Sequence, residues 1–327
     1  MSAGSNALLN ILSRTAAPSV FSVKSRLERF FANPRMPILR RLAPAEMVEF
    51  ASLREQMPVV RYAEARSFWQ LKALRAEHFG QPAPTAPPPR EIPAELLDRF
   101  AMNGKAEIEY NYLDGTSPSN YPLIYTDAEI DHYIGIIAHN RTLPLAKQDW
   151  FIYGTLDAWI CDALGKYPVR YQTVVNMGSM TPWYEAMLIY FGGKPTTIDY
   201  NPIVTRTKRM TFMTISDWER ERPTFDVGFS ISSFEHDGLG MYGDPLDPDG
   251  DLKAMRKMKE RVKSGGLLFL AIPTGRDKVL FNNARIYGQH RLPLLFDGWD
   301  VVDTFGFHID DLDGAGWSQP LYILRNS

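Results

Sequence analysis

The chain has 327 residues, 45% of them hydrophobic, with 36 lysines and arginines against 38 aspartates and glutamates and a formal net charge of −2. This balance excludes a protein whose whole surface is built for nucleic acid, and the apolar share is ample for the core of one large domain or two modest ones. A single cysteine, Cys161, excludes an internal disulfide framework and any cysteine-based zinc site, and the lack of a membrane-length apolar run or secretory signal pattern leads us to expect a reduced, cytoplasmic location.

Residues 1–46 are basic: Arg14, Lys24, Arg26, Arg29, Arg35, Arg40 and Arg41 face only Glu28 and Glu46. Leu8, Leu9, Ile11, Leu12, Phe21, Phe30 and Phe31 add apolar material. Such a segment suits peripheral contact with an anionic membrane surface, and equally suits a frayed tail or helices packed on the rest of the protein. Residues 44–80 show apolar positions at helical spacing with few breakers. The proline-rich run at 81–90 reads as a polyproline-type linker or strap. The expected organisation is a helical, basic extension over 1–80, a linker over 81–93, and a main domain over 94–327 whose nucleotide-binding core is 150–327.

Residues 106–113 alternate like a strand, and 114–120 form a turn cluster. Thr126-Asp-Ala-Glu129 opens a helix by its capping pattern. From about 150, apolar strands alternate with helices, which predicts a parallel sheet covered on both faces. The strands fall at 173–178, 195–199, 210–215, 226–231, 267–272, 299–305 and 320–325. A helix over 182–191 has Thr181 as N-cap, Pro182 first and Gly192 after its end. A helix over 251–263 starts at Asp251 and sets Leu252, Met255 and Val262 along one face.

In a doubly wound sheet the ligand sits outside the carboxyl ends of the central strands. Gly178 gives bare backbone at the first strand-to-helix turn, while Ser179, Met180 and Thr181 fill what would be further glycine positions. The dinucleotide fingerprint is absent, and a ligand that brings no phosphate to the backbone suits the turn better. A strand meeting a helix and binding nothing also accounts for it. Asp199 ends the second strand, where a carboxylate accepts from both ribose hydroxyls, with Tyr200 beside it. A helix cap or turn acid is the alternative. After the third strand, Asp217 and Trp218 offer a carboxylate and an aromatic face to an adenine, unless Asp217 is only an N-cap. The fourth strand runs through Ser232 into Phe234-Glu-His-Asp-Gly238, so polar residues gather where the carboxyl ends converge.

Here a resemblance enters. The order of parts resembles a class I S-adenosylmethionine-dependent methyltransferase, and residues 173–325 resemble the DUF268 family of methyltransferase-like proteins. It is carried by Val175-Asn-Met-Gly-Ser-Met-Thr-Pro-Trp183, Ser230-Ile-Ser-Ser-Phe-Glu-His-Asp-Gly-Leu-Gly240, Tyr242-Gly-Asp-Pro-Leu-Asp-Pro248, Pro273-Thr-Gly275 and Tyr287-Gly-Gln-His-Arg-Leu-Pro-Leu-Leu-Phe296. These motifs are long and lie within about half of the chain. The resemblance implies an α/β fold: a doubly wound, mostly parallel, seven-stranded Rossmann-like sheet, here with an N-terminal helical extension. It implies S-adenosyl-L-methionine as cofactor, held by Gly178, Ser179, Met180, Asp199, Tyr200, Asp217, Trp218 and Ser232. Asn176 stands where the first strand of a methyltransferase usually ends in an acid.

Methyl transfer needs the methyl in line with a nucleophile and little covalent work from the protein. A hydroxyl acceptor must also lose its proton. His236 is the natural base, with Glu235 or Asp237 to orient it. A histidine that only braces the loop is the other reading. Asp244, Asp247, Asp249 and Asp251 alternate as in a cation loop, but Leu252 and Met258 occupy the positions where an EF-hand needs glycine and glutamate, so no metal is expected. Asp244 and Asp247 are instead expected to face the acceptor, with Arg285, Tyr287, His290 and Arg291 on its other side. The expected activity is methyl transfer to a hydroxyl of a glycan or other polar acceptor. A non-catalytic binding module of the same fold is the alternative; a nucleotide-sugar transferase would want a phosphate cradle, and the sequence offers none.

Overall fold

The computed structural model describes residues 87–116, 123–148, 150, 152–200, 203–314 and 316–327. The helical extension expected over 1–80, the segment 1–46 for which membrane contact is one reading, and linker residues 81–86 lie outside the described residues. Ahead of the main sheet come α1 (Ala94–Phe100), β1 (Glu107–Tyr110), β2 (Leu123–Thr126), α2 (Asp127–Asn140) and α3 (Thr155–Lys166). The core then runs β3 (Thr173–Met177), α4 (Trp183–Tyr190), β4 (Lys194–Asp199), β5 (Ile203–Arg206), β6 (Thr211–Thr214), α5 (Ile215–Glu221), β7 (Phe225–Ile231), α6 (Gly250–Arg261) and β8 (Val262–Ala271). Last come β9 (Thr274–Gly275), β10 (Lys278–Phe281), β11 (Ala284–Ile286), α7 (Leu292–Leu295), β12 (Trp299–Phe305), β13 (Trp317–Ser318) and β14 (Leu321–Asn326).

Seven strands form the main sheet in the order β12-β14-β8-β7-β3-β4-β6. The pairs from β8 to β6 are parallel, whereas β14 is antiparallel to both β12 and β8. The sheet is therefore only partly parallel. β14 follows β12 through a connection with no crossover helix, and adjacent strands joined that way run antiparallel. The chain leaves β3 toward β4 on one side and returns to β7 on the other, so the topological switch point lies at the carboxyl end of β3. This is the Rossmann-like arrangement that the class I methyltransferase resemblance implies.

Side chains of successive strand residues point to opposite faces, and the two cores divide accordingly. Val174, Phe229, Phe269 and Ile323 pack on one face with Ile130 and Ile137 of α2, Ile160 and Leu164 of α3, and Trp183 and Met187 of α4. Val175, Ile198, Leu268, Leu270 and Leu324 face the other way, against Trp218, Met255, Met258, Leu292 and Leu295. Covering both faces is what makes these strands read as unbroken apolar runs. Among the described residues no helix is long and apolar enough to cross a membrane.

Local signals set several boundaries. Thr126 caps α2 by accepting from the Glu129 amide at 3.2 Å. The cap expected at Thr181 is not made: Pro182 holds the cap position and the Thr181 hydroxyl is buried without a partner. The helix expected from Asp251 starts one residue earlier, after Asp249, because the Asp251 side chain is fully buried on other partners. Buried Asp157 ties the segment before α3 to α4. One of its oxygens accepts the amides of Ile152 and Tyr153 at 3.0 and 2.9 Å, and the other accepts Trp183 Nε1 and Tyr184 Oη at 3.2 and 3.1 Å. Burial pushes this carboxyl above its usual range, and the four donors oppose that shift.

Gly306, just after β12, has φ +72°, and a Cβ there would lie 1.9 Å from the Trp159 ring of α3. Gly306→Ala combines left-handed strain with overpacking, and we expect it to cost about 2 kcal/mol. A thermal midpoint equal to wild type would show that α3 does not abut this turn.

Candidate functional site

The turn after β3 is held by polar contacts in place of the missing glycines. Gly178 has φ +71°, and a Cβ on it would lie 2.8 Å from Ser233 Oγ, so the tips of β3 and β7 approach only over bare backbone. The Gly178 amide donates to Ile198 O at 2.9 Å and the Ser179 amide to Asp199 Oδ2 at 2.9 Å. Ser179 Oγ donates to Thr181 O at 3.0 Å, and the Tyr125 hydroxyl reaches Ser179 O at 3.0 Å. Beneath the turn, Glu185 of α4 is fully buried and accepts from Asn176 Nδ2 at 2.9 Å and Thr197 Oγ1 at 2.7 Å. The acid that β3 lacks at Asn176 is thus supplied from the helix. Burial raises the Glu185 carboxyl above its usual range.

Gly178, Ser179 and Asp199 meet at the switch point, with Ser232 at the end of β7. Met180 follows in the same turn and is half-buried. Tyr200 is 52% exposed next to Asp199. Asp217 and Trp218 are different. Trp218 is 3% exposed in the core between sheet and α6, its ring 5.7 Å from the Arg261 guanidinium, so the adenine-facing role expected of it is corrected to packing. Asp217 accepts the Thr214 hydroxyl at 2.8 Å and pairs with Arg220, and its own amide donates to Thr214 Oγ1, so it serves the start of α5.

After β7, Ser232 adopts φ +53° and donates from Oγ to Glu235 Oε1 at 2.7 Å. Glu235 is fully buried with its second carboxylate oxygen unpartnered, and burial raises its carboxyl above the usual range. His236 Nδ1 lies 2.6 Å from Asn283 O, a carbonyl that only accepts, so Nδ1 carries the proton and Nε2 holds the lone pair of the neutral ring. Nε2 faces Glu235 Oε1 at 3.9 Å. The ring is therefore oriented by a backbone carbonyl on β10–β11 and not, as expected, by Glu235 or Asp237. Asp237 is raised well above the usual range by burial and the neighbouring Asp244, against the pull of Arg285.

The residues expected on the acceptor side form the frame of the loop instead. Asp244 is buried, and its oxygens accept the amides of Gly238 at 2.7 Å, Gly240 at 3.2 Å and Tyr242 at 3.3 Å. Asp247 accepts the Asp249 amide and pairs with Lys253. Arg285 is fully buried and donates to the carbonyls of Asp237 at 2.5 Å and Asp247 at 3.1 Å. Arg291 binds both oxygens of Asp251, at 2.8 and 2.5 Å, and Tyr287 donates to Asp251 Oδ2 at 3.0 Å. Asp244, Arg285, Tyr287 and Arg291 are thus corrected from acceptor contacts to loop supports, because buried polar groups must spend their bonds internally. His290 is exposed, its amide fixed by Asp277 at 2.8 Å. Among the described residues no group of three or more His, Cys, Asp or Glu is arranged to hold a metal ion.

Three neighbours of the site escaped sequence reasoning. Tyr125 and Tyr153 lie far ahead of the motifs, with no local signal. Tyr242 stands inside one, and its signal was an aromatic residue two positions before a loop aspartate. Tyr153 bonds Ser232 and lies near Glu235. The Tyr242 ring meets the His236 ring edge to face at 5.7 Å.

Residues 171–312 match the family described as "Caenorhabditis protein of unknown function, DUF268". No curated protein matches the chain. Similar solved structures include the 1,6-didemethyltoxoflavin-N1-methyltransferase of Burkholderia thailandensis, with bound 1,6-didemethyltoxoflavin and S-adenosylhomocysteine (13% identity, 63% of this chain and 92% of that one, TM-score 0.40). The cyclopropane synthase MmaA2 of Mycobacterium tuberculosis is similar at 11% identity over 61% of this chain and 96% of that one, TM-score 0.38. The N-methyltransferase NodS of Bradyrhizobium japonicum, in complex with S-adenosylhomocysteine, is similar at 14% identity over 59% and 98%, TM-score 0.36.

Asp251→Ala leaves two buried guanidinium groups without their carboxylate, and we expect a loss of about 3–5 kcal/mol in denaturant unfolding. Burial opposes ionisation of Asp251, but Arg285 and Arg291 outweigh it and hold the carboxyl below its usual range. Its contribution is complete above about pH 4, the unfolded value, and is lost as pH falls through the lower folded value. Wild type should weaken in acid over that window, and the variant should lose this part of the pH dependence. Equal acid sensitivity in both proteins would remove Asp251 as the anchor.

Proposed function

We propose that this chain, whose residues 171–312 match the DUF268 family, is an S-adenosyl-L-methionine-dependent methyltransferase acting on a hydroxyl of a glycan or other polar acceptor. The carrying observation is the convergence of Gly178, Ser179 and Asp199 at the switch point of the sheet, with His236 on the loop that leaves the neighbouring strand β7. The residues present fit the cofactor. Half-buried Asp199 ends β4, where a carboxylate suits ribose hydroxyls, and the exposed Tyr200 ring beside it suits an adenine face. Bare backbone at Gly178 lets Ser233 close on the turn, and the serine-locked turn makes no demand for a phosphate.

The cofactor, when bound, supplies an electrophilic methyl. The rest of the chemistry falls to the chain: hold the acceptor in line, exclude water and take one proton. Nε2 is the lone-pair nitrogen of His236, and Glu235 Oε1, 3.9 Å from that same atom, favours the imidazolium that results. The proposed setting is the cytoplasm, with peripheral membrane contact through 1–46.

Isothermal titration with S-adenosylmethionine tests the cofactor. Asp199→Ala should bind at least tenfold more weakly, about 1.4 kcal/mol; unchanged affinity in the folded variant would move the site. Turnover is then followed as S-adenosylhomocysteine release on a panel of hydroxylated acceptors. His236→Ala should keep cofactor affinity and lose about 100- to 10,000-fold in rate, and His236→Asn should not restore it. An Asn variant as fast as wild type would make His236 a brace. Tight cofactor binding with no transfer to any acceptor would favour a non-catalytic binding module.

A further inference from the structure

Tyr242 occupies a position that the proposed cofactor chemistry gives a meaning. Its ring stands perpendicular to His236, centroids 5.7 Å apart. Its phenol also feels the charges of Asp199, Glu235 and Asp244 and lies near the Tyr153 phenol. Tyr242 thus stands against the imidazole that suits the acceptor, within electrostatic reach of the carboxylate that suits the ribose. In S-adenosylmethionine the sulfur is bonded both to the ribose C5′ and to the methyl that leaves. A ring beside the base and within reach of the ribose end is therefore placed to meet the sulfur of a cofactor bound there.

The placement of this ring is built. The Tyr242 amide donates to Asp244 Oδ1 at 3.3 Å. From below, Gly115 donates its amide to Met241 O at 2.9 Å. A Cβ on Gly115 would lie 2.7 Å from Tyr242 Cδ1 and 2.8 Å from Met241 O. Two residues earlier, Asn282 clamps Leu113 through both amide and carbonyl, at 2.9 and 3.0 Å. A segment outside the family-matched stretch thus sets the ring against the site.

We infer that the face of Tyr242 is the wall against the sulfonium of the cofactor, and that it selects the charged cofactor over its neutral product. This rests on the proposed methyltransferase reading. A neutral phenol ring attracts a cation over its face, and carboxylates nearby at Asp199 and Glu235 add to the field. S-adenosylhomocysteine has lost the charge and gains none of this. The result is a site that holds the substrate form of the cofactor and releases the spent form.

The experiment is calorimetric titration of the full chain with S-adenosylmethionine and, separately, S-adenosylhomocysteine. Tyr242→Leu keeps apolar bulk and removes the ring, so the preference for the charged form should fall by about three- to thirtyfold. Tyr242→Phe should retain the preference. Gly115→Ala, which must displace the ring, should lose it in the same direction. Wild-type protein also gives a readout that needs no variant: the resonance of a carbon-13-labelled S-methyl should move upfield on binding, from the ring current. Equal loss of both ligands in Tyr242→Leu, or an unshifted methyl in wild type, overturns the inference while leaving the cofactor intact. Wild type that binds neither ligand sinks the methyltransferase reading and this inference together.

Discussion

The site depends on one buried anion. Asp251 is fully enclosed, and a carboxylate there is tolerable only because Arg291 grips both of its oxygens and Tyr287 donates a third bond. The second guanidinium, Arg285, stands 3.7 Å away and spends its donors on main-chain carbonyls of Asp237 and Asp247. Arg291 adds Pro248 O at 2.6 Å. The loop that carries Glu235 and His236 therefore takes its course from a charge cluster at the start of α6. Asp244 does the same work from inside the loop, gathering three amides on one carboxylate. A loop so tied presents its imidazole at low entropic cost, which is what positioning requires.

Much of the frame was legible in the sequence, for a simple reason. The central strands are covered on both faces and appear as apolar runs, so their limits fall within a residue or two of the observed ones except at the start of β8, which begins at Val262 and not at 267, and Thr126 announces its helix through its own capping bond. What was not legible is pairing across distance. Arg285, Tyr287 and Arg291 read as acceptor contacts because polar residues in a motif look available. Their partner Asp251 lies more than thirty positions away, and nothing local ties the two together. Trp218 failed for a related reason: α5 spans Ile215–Glu221, too short for its apolar stripe to show which face points inward. The acid missing at Asn176 shows the reverse case. Its replacement, Glu185, sits in the first turn of α4, and only packing shows that the two side chains meet.

The stretch that matches the family does not complete the site. Tyr125 locks the turn after β3, Tyr153 bonds Ser232, and Gly115 supports Tyr242, all from residues before 171. Asp157 explains how one of these is held: by taking the amides of Ile152 and Tyr153 together with two aromatic donors of α4, it couples the segment ahead of the sheet to the helix that follows the first core strand. The matched stretch supplies backbone turns and the candidate base, and the preceding residues supply rings that line and brace them.

The place of β14 has a consequence for the order in which the fold can be completed. β12 is synthesised before β14, yet in the finished sheet it touches β8 only through β14, which lies between them. Until β14 is in place, the edge of β8 stands uncovered on that side and Trp299–Phe305 has no neighbour in the sheet to pair with. An exposed strand edge of this kind is a template for pairing with another chain. The last strand of the described chain thus closes the edge of β8 and joins β12 to the sheet in one step.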